Sequence, residues 1–361
     1  MRKLASIQTI VDLQPIPNKD LIEYATVQGW HVIVRKGEFS VGDKCVYFEV
    51  DSIVPETEAF EFLRPRNFKI KTLKMASVVS QGLALPLSVF PQITKTAVGT
   101  DVTELLNIKR YDPEAEKEAV LLAQKEAMEK NKLKRFLMKH KWYRRLFSKK
   151  SGGGFPSWIR KSDETRIQSM PFLFNQAEKK ILLVSEKVDG TSTTAFYIAK
   201  RGLFSKAVFG VCSRNVYLKT QDNSIYWKMS IKHNFENVLK QLAKIHKART
   251  VVLQGESICP GIQGDKYQLG ERFYAFNLII DGKPLHTLQM ADTLGPYGIE
   301  TVPVLDTRFT LPDTCDEMVA YSTAKSVLNK NILREGVVCR TYDGSISFKA
   351  VSPEFLLKNK E

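Results

Sequence analysis

Residues 22–55 read "IEYATVQGWHVIVRKGEFSVGDKCVYFEVDSIVP" and alternate short β-type runs with turn residues. The apolar runs are interrupted at Gly29, Gly37 and Gly42, and glycine is a residue that commonly ends strands and begins turns. The same pattern continues outward on both sides of this stretch. Several short strands at such spacing are typical of a small barrel, so residues 1–106 are predicted to form a β-barrel domain.

Composition limits the class of protein before any motif is considered. The chain has 361 residues, of which 43% are apolar, and these values predict two soluble globular domains. No stretch has the pattern of a signal peptide or a membrane span, so a cytoplasmic protein is expected. Five scattered cysteines without CxxC spacing argue against a disulfide framework and against structural zinc. The net charge of +15 favours a polyanionic partner, with nucleic acid before membrane.

A helical basic linker is predicted over residues 107–154. From 113 to 150 the sequence has no glycine or proline after its first residue, and it is acidic early and basic late, which suits the helix macrodipole. Phosphate contacts are predicted for the basic part, with a solvated helix face as the alternative, and the residues assigned are Lys134, Arg135, Arg144 and Arg145. The glycines of "SGGG", residues 151–154, are expected to form a flexible break before a mixed α/β domain, residues 155–361.

One lysine lies between two carboxylates in "SEKVDGTST", residues 185–193. The preceding apolar run, "ILLVSEK", is predicted to be a strand that ends at Lys187, and Gly190 would let the chain turn sharply without a clash from a Cβ atom. The KxDG pattern alone is weak, because it arises often by chance. A surface lysine in a salt bridge is the alternative interpretation.

Further apolar runs follow, and each contains or ends in a charged or aromatic side chain. They are "VCSRN" with Arg214, "VVLQGESICPG" with Glu256, "FYAFNLII" with Phe276, "REGVVCRT" with Glu335 and "ISFKAVS" with Lys349. Together with "SEKVDG", this ordered set resembles the six motifs shared by ATP-dependent nucleic acid ligases and mRNA capping enzymes. The resemblance covers residues 155–361 and implies a covalent nucleotidyltransferase domain built on antiparallel sheets.

The chemistry of that class explains the residue types. A neutral lysine amine can attack the α-phosphorus of ATP and form lysyl-AMP, provided that its pKa is lowered from the free value of about 10.4. Lys187 is the predicted nucleophile. Nearby carboxylates alone would raise its pKa, so the acids are instead expected to hold Mg²⁺ or Mn²⁺. The predicted metal ligands are Asp189, Glu256 and Glu335.

The resemblance also implies which residues bind the nucleotide. Lys349 and Arg214 would neutralise charge on the phosphoryl oxygens. Phe276 would stack on adenine, although a place in the core is an equally good interpretation. Arg166, upstream of the lysine in "DETRIQSMP", would contact nucleotide phosphates. The full nucleotide-binding prediction is Arg166, Glu186, Lys187, Arg214, Phe276 and Lys349.

The order of domains separates members of this superfamily. DNA ligases and capping enzymes carry an OB domain after the core, whereas only residues 351–361 follow the last motif here. The stretches "GEFSVGDKCVYFEVDSIVP" and "FKIKTLKMASVVSQGLALPLSVF" instead resemble the N-terminal OB module of Naegleria- and Deinococcus-type RNA ligases. The resemblance implies an α+β protein that joins a 3′-OH RNA end to a 5′-phosphate with ATP, at a nick in a duplex, through lysyl-AMP and AppRNA.

The barrel itself offers groups for RNA. Its basic residues expected to contact nucleic acid are Arg35, Lys36, Arg64 and Arg66. Trp30 would stack on a base or belong to the core. The final motif departs from many relatives, because it has one lysine, Lys349, where they have a pair two residues apart. That departure leaves open how the pyrophosphate or the 5′-phosphate is held.

Two other classes remain as alternatives. A capping-type guanylyltransferase would use GTP, and the missing C-terminal OB domain disfavours it. A non-catalytic RNA-binding protein on a decayed scaffold is disfavoured because the motif residues are all present, namely Lys187, Asp189, Glu256, Glu335 and Lys349. The protein is expected to act as a monomer.

Overall fold

The computed structural model describes residues 3–76, 78–93, 95–111, 152–176, 179–200, 202, 205–218, 221–260 and 266–359. Most of the predicted helical linker lies outside these residues, including Lys134, Arg135, Arg144 and Arg145. The chain divides into two compact units, each made of separate stretches of sequence. The first unit contains the described residues within 1–111, 164–187 and 304–361, and the second contains those within 112–163 and 188–303. The boundaries predicted at 106 and 154 stay predictions.

The described residues form these strands in chain order: β1 Ala5–Pro15, β2 Ile22–Val27, β3 Trp30–Arg35, β4 Lys44–Phe48, β5 Ser52–Ile53, β6 Lys69–Ile70, β7 Leu73–Met75, β8 Val78–Ser80, β9 Leu83–Pro86, β10 Lys109–Arg110, β11 Gly152–Gly154, β12 Thr165–Arg166, β13 Ile181–Lys187, β14 Thr191–Ile198, β15 Val208–Cys212, β16 Val216–Leu218, β17 Thr250–Ile258, β18 Arg272–Ile280, β19 Lys283–Pro284, β20 Val304–Thr310, β21 Gly336–Thr341 and β22 Ser347–Val351. The α-helices are α1 Ile225–Lys232, α2 Phe235–Ile245, α3 Thr287–Leu294, α4 Cys315–Ser322 and α5 Pro353–Asn359. Short 3-10 helices span Glu58–Arg66, Leu87–Val89, Pro91–Ile93, Ile167–Ser169, Pro171–Leu173 and Gly295–Tyr297.

The N-terminal part of the first unit is built on a five-stranded sheet in the order β3-β2-β1-β4-β9. All of its neighbouring strands pair antiparallel, and a second, three-stranded sheet has the order β10-β5-β6. Strand β3 shows why the sequence folds this way, because its side chains alternate between the two faces. Trp30, Val32 and Val34 are buried in one apolar cluster, so Trp30 belongs to the core.

The C-terminal part of the first unit is a second five-stranded sheet, in the order β12-β22-β21-β13-β20. Its pairs are antiparallel except for β12 and β22, which are parallel. Helix α4 covers one face, where Met318 packs in a cluster with Val184, Val337 and Ala350. Alternation along β13 therefore places Lys187 on the other face, because residues 184 and 187 differ by an odd number of positions.

The second unit is built on a seven-stranded sheet in the order β11-β16-β15-β14-β17-β18-β19, with every pair antiparallel. Helix α2 covers it through an apolar stripe at helical spacing, which includes Phe235, Val238 and Leu242. The glycines expected to form a flexible break instead make the edge strand β11, which pairs with β16.

The expectation of an α+β protein with antiparallel sheets is confirmed. None of the helices in the described part of the chain is long and apolar enough to cross a membrane.

Candidate active site

Lys187 is the last residue of β13, so the prediction that it lies at a strand terminus is confirmed. Its register partner on the neighbouring strand is Gly336, and the residue before that glycine supplies its ionic partner. The Lys187 Nζ donates to Glu335 Oε2 at 2.6 Å, and the two side chains are 26% and 12% exposed. This ion pair is partly shielded from water, which strengthens it relative to an exposed surface pair.

Lys349 and Arg166 lie on the same sheet face as Lys187. Val338 of β21 pairs with both Ser185 and Lys349, and Ser185 is two residues before Lys187. Because strand side chains alternate with a period of two, this register puts both lysines on one face. Arg166 of β12 is in turn the parallel register partner of Lys349. Three cationic residues predicted to bind the nucleotide therefore share one face of one sheet.

The Arg166 guanidinium is buried and lies against the N-terminal barrel. Its Nη2 donates to Asp51 Oδ2 at 3.1 Å, and its Cζ lies 5.6 Å from the centre of the Trp30 ring. The Nε and Nη1 atoms are buried without a hydrogen-bond partner in the described part of the chain. Trp30 donates to Ser169 Oγ, and Ser169 donates to Glu49, so β12 and the turn after it are tied to the barrel. The predicted contact of Arg166 with nucleotide phosphates stays a prediction.

Glu186 faces away from Lys187 and is 1% exposed. Its carboxylate accepts hydrogen bonds from Ser326 Oγ at 2.5 Å and from the Val327 N–H at 2.8 Å. Burial raises the pKa of this carboxyl group above its ordinary value, while those two hydrogen bonds and the charge of Arg334 oppose the shift. In this structure Glu186 holds the loop before β21, and its predicted contact with the nucleotide stays a prediction.

In the second unit, Asp189 is held by two consecutive residues. Lys266 Nζ donates to Asp189 Oδ2 at 2.6 Å, and the Asp189 N–H donates to the Tyr267 hydroxyl at 2.9 Å. The side chain of Asp189 is 6% exposed and that of Lys266 is 19% exposed. The sequence motifs did not predict this pair of contacts. The signal was the "DKY" at residues 265–267, which carries a cation and a phenol ten residues after the predicted ligand Glu256.

Gly190 permits close packing around the predicted ligands. A Cβ atom on residue 190 would lie 2.6 Å from the carbonyl oxygen of Ser257 and 2.9 Å from Cγ of Glu256. Glu256 lies on β17, opposite Ser192 of β14. The glycine of the KxDG motif is thus required by the approach of strand β17, and this is a stronger constraint than the turn alone.

Phe276 occupies a β-bulge. Gln254 pairs with Asn277 and Gly255 pairs with Ala275, so Phe276 is the extra residue on β18. It is partly exposed, whereas Phe273 and Ala275 are buried in the main core of this unit. Bulges commonly re-aim a side chain beside an active site, so this geometry suits stacking better than core packing. Arg214 lies partly exposed in the turn between β15 and β16.

No three His, Cys, Asp or Glu side chains among the described residues are close enough to hold a metal ion together. The prediction that Asp189, Glu256 and Glu335 bind metal stays a prediction. Asp189 and Glu335 each have a lysine ammonium at 2.6 Å instead. Hydrated Mg²⁺ and Mn²⁺ need only one or two carboxylates besides water and phosphate oxygens, so anionic donors of this kind suit such an ion.

The four basic residues of the barrel that are predicted to contact RNA are exposed, and they lie at two places. Arg35 and Lys36 lie at the end of β3 and in the turn after it. Arg64 and Arg66 end the 3-10 helix, but Arg64 is already paired with Glu61 and Glu56. The charge of Arg64 is thus partly compensated within the protein.

Comparisons with known proteins identify the class of protein. Residues 4–87 match a model described as an OB-fold domain, and residues 180–358 match the RNA ligase family. The chain is therefore an RNA ligase, with an OB-fold domain followed by a ligase domain. No curated protein matches it in a sequence comparison.

Solved structures of one enzyme resemble the chain over its whole length. Naegleria gruberi RNA ligase with PPi has a TM-score of 0.80 and 29% identity, covering 100% of this chain and 99% of that one. A lysine-to-alanine variant of that enzyme, with ATP and Mn, has a TM-score of 0.79 and 28% identity, covering 99% of each chain. A glutamate-to-alanine variant, with AMP and Mn, has a TM-score of 0.79 and 29% identity, again covering 99% of each.

Two pairs of positions altered in variants of the Naegleria enzyme have the same spacing as motif residues here. One altered lysine and one altered aspartate are two positions apart in the Naegleria enzyme, as Lys187 and Asp189 are. Another altered glutamate and lysine are fourteen positions apart, as Glu335 and Lys349 are.

Proposed function

We propose that this RNA ligase uses ATP to join a 3′-OH RNA end to a 5′-phosphate at a nick in a duplex, through lysyl-AMP and AppRNA. One observation carries the proposal: Lys187 and Lys349 lie on the same face of one sheet, and Glu335 forms an ion pair with Lys187. The Naegleria gruberi structures with ATP, AMP and PPi support the choice of nucleotide and the leaving group.

In the first step, the Lys187 amine attacks the α-phosphorus of ATP. A nitrogen–phosphorus bond forms, the bond between the α-phosphorus and the bridging oxygen breaks, and pyrophosphate leaves. The attacking form is the neutral amine, so the ammonium must leave Glu335 and lose a proton first. Lys349, two strands away on the same face, is placed to offset the charge that develops on the phosphoryl oxygens.

In the second step, an oxygen of the RNA 5′-phosphate attacks the phosphorus of lysyl-AMP, and the lysine amine leaves. In the third, the 3′-hydroxyl attacks the 5′-phosphorus of AppRNA, AMP leaves, and a phosphodiester is formed. A divalent cation bound to Asp189, Glu256 or Glu335 would supply charge neutralisation for the phosphates and favour the neutral form of the lysine.

The adenine ring is proposed to stack on Phe276, because that side chain is partly exposed at the bulge in β18. Arg166 and Arg214 are proposed to contact phosphates of the nucleotide or of the RNA end. The basic residues of the barrel and of the linker are proposed to contact the RNA backbone. We further propose that the protein acts as a monomer in the cytoplasm.

Denaturing electrophoresis after incubation with α-labelled ATP and Mn²⁺ tests the first step. Label should survive denaturation in the wild type and disappear in Lys187→Ala and in Lys187→Arg, because a guanidinium stays protonated and is no nucleophile. Labelling by GTP in place of ATP would favour the capping-type alternative. Label retained in both variants would place the nucleophile elsewhere.

Sealing assays test the substrate. The wild type should join a nick whose 3′-OH strand is RNA faster than the same nick in all-DNA form, since the 2′-hydroxyl is the group that distinguishes the two. Equal rates on both substrates would contradict the proposed strand preference without affecting the first step.

A further inference from the structure

A cavity of about 500 Å³ opens in the first unit, between the N-terminal barrel and helix α4. Its walls include Tyr24 and His31 from the barrel, and Gln168, Asp316 and Val319 from the C-terminal part. Small-molecule sites in proteins commonly have volumes of roughly 300–1,000 Å³. The cavity is therefore large enough for a nucleoside.

This cavity is separate from the candidate active site. Helix α4 carries two of its lining residues, and α4 packs through Met318 on the sheet face that bears Val184 and Val337. Lys187 and Lys349 lie on the opposite face of that sheet. None of the described residues that line the cavity belongs to the set predicted from the sequence motifs. Changes in the cavity can thus be tested without touching the nucleophile.

The lining chemistry suits a neutral planar ring. Among the twelve described residues that line the cavity, none is lysine or arginine, so a phosphate would find no cation there. Tyr24 and His31 lie with their ring centres 5.1 Å apart and their planes tilted by 43°, so this aromatic wall offers two ring faces, and a base stacks on one of them. Gln168 is 2% exposed, and its Oε1 atom has no hydrogen-bond partner among the described residues. A buried acceptor without a donor costs free energy, and a bound N–H group would remove that cost.

The walls of the cavity are held in place by close contacts. The Gly29 N–H donates to the carbonyl oxygen of Gln168 at 2.9 Å, and a Cβ atom on residue 29 would lie 2.6 Å from Cys315 Sγ. His31 Nε2 lies 3.6 Å from Asp316 Oδ2. The barrel and the C-terminal part thus meet at the cavity without room for a side chain at residue 29, and the site is preorganised.

We propose that this cavity binds a nucleoside. The base stacks on the Tyr24–His31 wall, one of its N–H groups donates to Gln168 Oε1, and the ribose hydroxyls donate to the Asp316 carboxylate. The nucleoside is either free in solution or part of an unpaired nucleotide of RNA, because OB barrels commonly stack single-stranded bases. The RNA source rests on the proposed function, whereas the nucleoside chemistry of the cavity does not.

Photo-crosslinking with 4-thiouridine tests the site. One arm uses the free nucleoside, and the other uses a nicked RNA duplex with one unpaired 4-thiouridine beside the nick. We expect crosslinks on peptides that contain Tyr24, His31 or Asp316, identified by mass spectrometry. Crosslinks with the free probe assign a free nucleoside, and crosslinks with the duplex alone assign an RNA nucleotide. Crosslinks confined to other peptides, or none in either arm, overturn the proposal.

Two variants in the cavity and one surface control separate binding from folding. Gln168→Leu removes the buried acceptor, so the temperature of unfolding should stay equal or rise, while crosslinking falls about tenfold through the lost hydrogen bond. Val319→Trp should fill the cavity and abolish crosslinking, whereas Val11→Trp, at a residue that is 56% exposed and lines no part of it, should not. Unchanged crosslinking in Gln168→Leu overturns the proposal.

Labelling of Lys187 by ATP should stay normal in all three variants, which separates this test from that of the proposed function. If ATP did not label the wild type, the proposed function would be refuted, whereas crosslinking by the free nucleoside would still test the cavity.

Discussion

Lys266 Nζ lies 2.6 Å from Asp189 Oδ2, and the next residue, Tyr267, accepts a hydrogen bond from the Asp189 main chain. These contacts join residues that are 77 and 78 positions apart in the chain. They fix both the side chain and the backbone of a residue that is predicted to bind metal. A group that orients such a ligand commonly affects metal affinity or activity by about 10–100-fold.

Lys266→Met should therefore slow the labelling of Lys187 by ATP by roughly tenfold or more, and it should raise the Mn²⁺ concentration needed for half-maximal labelling. Lys266→Arg should keep more activity, because it preserves a cation beside Asp189. The matched control is Lys228→Met, since the Lys228–Glu271 pair is exposed and its atoms are 3.6 Å apart. Equal rates for Lys266→Met and Lys228→Met would show that the Asp189 contact does not contribute.

Gly190→Ala should be strongly unfavourable. The added Cβ would lie 2.6 Å from the backbone oxygen of Ser257, which cannot move without shifting strand β17 and Glu256. Overpacking of this kind costs about 1–3 kcal/mol, so the variant should unfold at lower temperature and lose adenylylation. Gly295→Ala is the control, because no heavy atom lies within 4 Å of its added Cβ and its φ is −52°. A Gly190→Ala enzyme as stable and active as the control would contradict the steric argument.

His233 should make the second unit less stable in acid. Burial is the main cause that lowers the pKa of its imidazole below 6.5, and the ring stacks on Phe235 with 5.9 Å between the ring centres. In the unfolded chain the His233 imidazole binds a proton near pH 6.5, whereas in the folded protein it binds the proton only at lower pH. Stability is thus constant above that value and falls as the pH decreases through the window below it.

Replacing His233 with Leu should flatten this dependence, as measured by unfolding temperatures at pH 5 and pH 7.5. The matched control for replacing a histidine with leucine is His246→Leu, at an exposed residue next to α2. A pH dependence that is the same in the wild type and in His233→Leu would assign the acid sensitivity to other groups.

Local patterns predicted the elements that carry the motif residues. The apolar run before Lys187 is a strand that ends at the lysine, and the alternation of residues 30–35 places Trp30 in the core. These features depend on side-chain period and on turn residues, which are local properties of the sequence.

Features that depend on distant parts of the chain were not predictable in the same way. The Lys187–Glu335 pair joins residues 148 positions apart, and the bulge at Phe276 arises from a register slip between two strands. Gly152–Gly154 form an edge strand because β16 offers them a partner, although their composition indicated a flexible break. Pairing of this kind follows from tertiary context, which single-sequence patterns do not contain.

The final prediction concerns the basic residues of the barrel, which differ in how far the protein already compensates their charge. Arg35 and Lys36 are both exposed, whereas Arg64 lies within 4.0 Å of carboxylate oxygens on Glu61 and Glu56. Each phosphate contact that is lost should flatten the slope of log affinity against log salt by roughly 0.7–0.9.

Replacing Arg35 and Lys36 together with Gln should therefore weaken binding to a nicked RNA duplex at moderate salt and reduce the slope by up to about 1.8, because each replacement removes one contact. Arg64→Gln should have a smaller effect, since the arginine already interacts with two carboxylates. Labelling of Lys187 by ATP should be normal in both proteins, because these side chains lie on the barrel and none takes part in attack on the α-phosphorus. Fluorescence anisotropy over a salt series measures the slopes. An unchanged slope in the double variant, or a larger loss of affinity in Arg64→Gln, would indicate that the RNA backbone binds another surface of the protein.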